Sequence, residues 1–163
     1  MLADVFKREL ENVRLFFNRS TKPLTEDDSL FKPQDEMYTV AQQVAHAAHT
    51  VEGFSNNAFT ETGPEWDENA MEDHNNRVMT VTSLTAARKW FNESIDRAIE
   101  NFGKRSDEEL LALLPETSLL GPFPRFTCLY GIQDHTAHHR GALTVYVRAL
   151  GKTPPIPYMP DEA

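Results

Sequence analysis

Two histidines four residues apart, His135 and His139, stand in the run Asp-His-Thr-Ala-His-His-Arg-Gly-Ala-Leu at residues 134–143. In a helix, which turns by about 100° per residue, they project one above the other from the same face. Ile132, Ala142, Leu143, Tyr146 and Leu150 fall on the same broad stripe, so both imidazoles point toward a core. Neutral imidazole is the commonest protein ligand for zinc, nickel, copper or iron, and such a pair makes a bidentate arm for one of them. A lone histidine on an apolar face is more often a packed core residue; two at this spacing, in a chain with six histidines, shift the reading toward a metal. A catalytic site normally takes three protein ligands and leaves a position open, so a third ligand has to come from another element.

That element is a helix expected over residues 38–59, where Val40, Val44, Ala48, Val51 and Phe54 form the apolar stripe. It carries His46 and His49. His46 shares an edge with Gln43, Thr50 and Asn57, whereas His49 lies near Gln42, Ala45 and Glu52, and periodicity leaves both open as the third ligand. The remaining helices follow from the same spacing. Leu2, Val5, Phe6, Val13, Phe16 and Phe17 predict one over residues 2–19, and Leu84, Phe91, Ile95, Ala98, Ile99 and Phe102 another over residues 83–102. Ser106 and Glu109 form a capping-box pattern ahead of Leu110, Leu111, Leu113 and Leu114, which predicts a short helix ended by Pro115. The histidine pair belongs to a last long helix from near Arg125 to Leu150, closed by Gly151 and by Pro154 and Pro155. Residues 61–76, rich in acids, Gly, Pro and Asn, read as a long crossover loop with His74 exposed on it. No strand alternation or internal repeat is present. The expected architecture is a single all-α domain, a four-helix bundle with one additional short helix before the last main helix, and metal sites in such bundles are built from facing helices.

Composition bounds the function. A net charge of -9 and a pI near 5.1 argue against a phosphate-backbone binder, so nucleic acid is not an expected partner. Cys128 is alone, which fits a reducing compartment. The N-terminal residues interleave charged and apolar side chains without a continuous signal core, and no window approaches the roughly 18 apolar residues of a membrane span. A cytoplasmic location is the expectation.

The run from His135 through Gly151 followed by Pro-Pro resembles the closing helix of DinB-like proteins, four-helix-bundle metalloproteins whose motif is His, three residues, then His-Arg-Gly, with an Arg and a Gly near the helix end. Arg140, Gly141, Arg148 and Gly151 fit, and the upstream Gln-Gln-Val-Ala-His resembles the family's early-helix histidine. Carried over, the resemblance makes His46, His135 and His139 the metal ligands and leaves His49 and His138 outside the coordination sphere. Ala142 departs from the Gln that many relatives carry. The resemblance also implies a divalent metal, nickel or zinc, and a homodimer; characterised relatives include thiol-dependent S-transferases and a mycothiol-dependent maleylpyruvate isomerase.

The function expected is that of a metal-dependent enzyme of the S-transferase or hydrolase type, acting on a small-molecule electrophile with a low-molecular-weight thiol as cosubstrate, or with water in its place. The alternative is a noncatalytic metal-binding or stress-associated bundle. No Ser/His/Asp order, P-loop or dinucleotide fingerprint competes. Cys128 reads as a buried, inert thiol, Tyr146 as core with a satisfied hydroxyl, and Arg140 and Arg148 as structural rather than substrate-binding.

Overall fold

The computed structural model describes residues 1–65 and 67–159, and the described residues form six α-helices, one 3-10 turn and no strand. α1 (Leu2–Ser20) turns Ala3, Phe6, Leu10, Val13 and Phe17 inward at the three- and four-residue spacing of a buried stripe. α2 (Val40–Asn57) begins where Thr39 and Gln42 cap each other reciprocally, each side chain taking an N–H that the first turn leaves without a partner. Its inner face is built mainly from alanines and valines, and these small side chains let α4 (Leu84–Gly103) come close along most of its length. α4 starts at Ser83, whose hydroxyl accepts from the Ala86 N–H, and buries Leu84, Ala87, Phe91, Ile95, Ala98 and Phe102. α6 (Thr127–Ala149) closes the ring: α2 packs on α4 and α6, and α1 packs on the same two helices from the other side.

Large apolar side chains fill the space between the four long helices. The rings of Phe17 and Phe91 stack at 4.2 Å, and Leu10, Ile95, Phe102, Ile132 and Leu143 are fully buried. Truncating any one of these to alanine is expected to cost on the order of 2–5 kcal/mol, a large share of a domain's net stability. α6 ends at Gly151, whose φ of +73° is the left-handed conformation that closes a helix without a Cβ penalty. The short α5 (Asp107–Leu111) is where the Ser106/Glu109 pattern places it, with the capping box formed in both directions.

One segment differs from the expectation. Starting inside residues 61–76, which the composition assigns to a loop, and running past them, a further helix α3 spans Glu68–Val78 and lies against α2. Its buried residues are only His74 and Val78, four apart, so it lacks the apolar stripe that betrays a helix. The start signal was present: the Asp67 carboxylate accepts from the Ala70 N–H at 2.8 Å.

Candidate metal centre

α2 and α6 run side by side at the level of the histidines. His46 points inward from α2, and His135 and His139 point at it from successive turns of α6. His46 Nε2 lies 3.1 Å from His135 Nε2, which lies 3.1 Å from His139 Nε2. All three ligand atoms fall within 4.8 Å of one another, and no other trio of His, Cys, Asp or Glu among the described residues comes so close. The spacing suits a small cation. Neighbouring nitrogens about 2.1 Å from a shared ion and separated by 90–110° are roughly 3.0–3.4 Å apart.

Protonation agrees with this. Burial, reinforced by the neighbouring rings, holds each imidazole far below its ordinary 6.5, at about 3 for His46, His135 and His139. All three are therefore neutral at physiological pH, and each, in the tautomer that carries its proton on Nδ1, can offer an Nε2 lone pair to a shared cation. With all three Nε2 atoms unprotonated the lone pairs would repel unless a cation lay between them; otherwise an N–H of one ring bridges to its neighbour.

The far side of each ring has its own environment. His139 is held by the amide of Gln43, which lies 2.6 Å from Nδ1 and projects from α2 one turn before His46. The two ends of an amide have the same shape, so when His139 Nε2 is unprotonated the Gln43 oxygen can accept from Nδ1–H. His46 Nδ1 lies 3.4 Å from Nδ1 of His74, whose Nε2 is 2.9 Å from the Tyr38 hydroxyl. Freeing His46 Nε2 for a ligand fixes the direction of this chain: His46 Nδ1–H donates to His74, and His74 Nε2–H donates to Tyr38. Tyr38 is tied down in turn, its backbone carbonyl accepting from the Tyr146 hydroxyl at 3.0 Å. His135 Nδ1 is buried without a hydrogen-bond partner, and Thr50 Oγ1 lies 3.5 Å from its Nε2.

His74 corrects the sequence reading, which left it on an exposed loop; it is 6% exposed and braces His46. Replacing it with leucine is expected to weaken divalent-metal binding by about 10–100-fold, with asparagine, which restores an acceptor oxygen, recovering part of the loss. Chelator competition on the folded variants checks this; equal affinity in wild type and leucine variant would reduce His74 to a packing residue.

The other candidates go elsewhere. His49 turns away from the trio to meet the Asp73 carboxylate at 2.9 Å, and that hydrogen bond, with help from Arg77, holds Asp73 below its usual range. His138 is exposed. Cys128 is buried and desolvation pushes its thiol up to about 12, so it stays protonated and inert. Arg140 reaches the Tyr158 hydroxyl and Arg148 the Thr144 carbonyl, and the Tyr146 hydroxyl is satisfied by Tyr38. Gln43 and Thr50 share the edge of α2 with His46 in the sequence; what the pattern does not reveal is that they touch histidines of α6.

Fold and site together define an all-helical protein with an inward-facing histidine trio suited to a divalent metal. The chain matches the DinB family model over residues 3–163 and belongs to the DinB family. A comparison with curated proteins finds no match. No helix among the described residues is long and apolar enough to cross a membrane.

Proposed function

We propose that the protein is a four-helix-bundle, metal-dependent enzyme, of the thiol-dependent S-transferase or hydrolase type, which holds nickel or zinc on His46, His135 and His139. The single observation that carries this reading is the convergence of three neutral imidazoles from two distant stretches of chain. A divalent ion bound there supplies a lowered pKa to a water or thiol and polarises an electrophile.

The chain's own residues do the rest. Gln43 and His74 orient two of the rings from behind, and the apolar stripe of α6 excludes water from the inner side. Among the described residues three ligands converge rather than four, which supports catalysis over a purely structural clamp, because a closed structural site uses all four positions.

Elemental analysis of protein purified without added metal, then incubated with zinc, nickel or manganese, tests the first half of this reading. One ion per chain is expected. His46→Ala should lose it and His49→Ala should keep it; a wild-type stoichiometry near zero after all three incubations removes the metal reading. Loaded protein assayed with model electrophiles and several cellular thiols tests the second half, and rates that match the metal-free protein with every thiol, and with water, would leave the metal without a catalytic role.

A further inference from the structure

The edge of α2 that carries His46 does not end at the metal centre. One turn further on is Thr50, then Gly53 and Phe54, then Asn57, a track of about 16 Å along the helix axis. From Thr50 onward this track is one wall of a cavity of about 280 Å³, closed on the other side by Asp73 and Arg77 of α3, by Glu65 and by Leu119. Thr50 belongs to both places, lining the cavity while standing 3.5 Å from His135 Nε2.

Gly53 leaves room on this wall; Gly141 in α6 is equally unhindered, so what singles out Gly53 is its place on the cavity lining. A glycine inside a long helix weakens it, and this one is excused by neither backbone nor packing: nothing lies within 4 Å of where its Cβ would stand. Gly131, by contrast, is small because the Phe54 ring rests on it. A side chain at 53 would project into the cavity.

The walls also specify charge. Arg77, the one cationic side chain lining the cavity among the described residues, is committed to Glu52 at 2.7 Å, to Asp73 at 3.4 Å and to the face of Trp90. Glu52 is further paired with Arg97. Glu65 has no ion-pair partner among the described residues and is exposed at the rim. A carboxylate or phosphate entering here would find no free cation, whereas an ammonium would meet a lining with three carboxylates, Glu52, Glu65 and Asp73, against one guanidinium; Asp73 is already tied to His49 and Arg77, so Glu65 is the unpaired acceptor, with Phe54 and Leu119 to cover an apolar portion.

Resting on the metal-enzyme reading above, we propose that this cleft is the substrate site and that its substrate is a small molecule carrying a protonated amine and an apolar group. Two probes of nearly equal shape, phenethylamine and hydrocinnamate, differ mainly in the sign of the end charge. Calorimetric titration of each into the zinc-loaded protein should give saturable binding of the amine about tenfold tighter than of the acid. Amide shifts on adding the amine should centre on Thr50, Gly53 and Asn57. Glu65→Gln should weaken the amine about threefold, and Gly53→Leu should abolish its binding with zinc content unchanged. Equal or tighter binding of the acid, no saturable amine binding by zinc-replete protein, or wild-type binding by Gly53→Leu overturns the proposal; should that variant fail to fold, the shift map on the wild type decides. Zinc content measured on the same samples separates the outcomes, since a zinc-free protein counts against the metal reading and an indifferent cleft in zinc-replete protein counts against this inference alone.

Discussion

Replacing His139 with alanine is expected to abolish tight binding of a divalent metal while leaving the far-ultraviolet circular dichroism of the protein unchanged. A four-ligand structural zinc site is worth about 10–16 kcal/mol, roughly 2.5–4 kcal/mol for each ligand, so removing one imidazole weakens binding by about 60- to 700-fold. The remaining pair, His46 and His135, would be a bidentate site of ordinary weakness. The fold does not share this dependence. Its stability comes from the side chains between α1, α2, α4 and α6, among them Phe17, Phe91, Ile95 and Leu143, which belong to one buried apolar cluster. The local cost is that Gln43, 5% exposed, loses its partner, which is worth about 1–3 kcal/mol. Metal affinity by chelator competition, together with circular dichroism, checks both halves; a variant that loses its helices along with the ion would mean that the ion is structural.

The difference between what the residues announced and what they concealed has a physical cause. α1, α4 and α6 were legible because each buries large apolar side chains at helical spacing, and the start of α5 because Ser106 and Glu109 cap it with side-chain hydrogen bonds. His135 and His139 were legible as a pair because a helix fixes the direction of residues four apart without any tertiary information. His46 and His49 were not separable by periodicity. Which of them faces α6 depends on how α2 is rotated against its neighbours, and it was the family resemblance that pointed to His46. α3 and His74 were hidden more deeply. A helix anchored by one histidine and one valine carries no apolar period, and the polar contact that fixes it, from His74 to Tyr38 and His46, joins three parts of the chain that no local pattern connects. The cleft was hidden for the same reason: Gly53 reads as an ordinary weak point in a helix until the empty space beside it is seen.

Acid should unfold the metal-free protein at an unusually high pH, with a midpoint between about 4 and 5. Burial first, and the charge of neighbouring rings second, holds His46, His135 and His139 at about 3, against 6.5 when exposed. The folded pKa is therefore the lower one. Between these values the unfolded chain binds more protons than the folded chain, so the contribution of the neutral trio is complete above pH 6.5 and is lost as the pH falls toward 3. Each ring contributes a slope of at most about 1.4 kcal/mol per pH unit, and three rings sharing one space titrate as a coupled set rather than independently. Even half of the combined slope, about 2 kcal/mol per unit, amounts to about 7 kcal/mol across this window, enough to exhaust the lower part of a typical stability of about 5–15 kcal/mol. Carboxylates act lower down: burial raises Asp28, but Lys152 and Thr25 outweigh it and bring its carboxyl below 3.8, so its loss belongs to a separate and more acidic range. Circular dichroism followed from neutral pH downward should place the transition of the wild type about one unit above that of a variant with glutamine at 46, 135 and 139, since the variant keeps the polar contacts and lacks the ionisable rings. In metal-loaded protein the transition should move to lower pH and coincide with release of the ion, because protons and metal compete for the same three nitrogens. Coincident acid transitions in the wild type and the triple variant would remove the buried histidines as the cause.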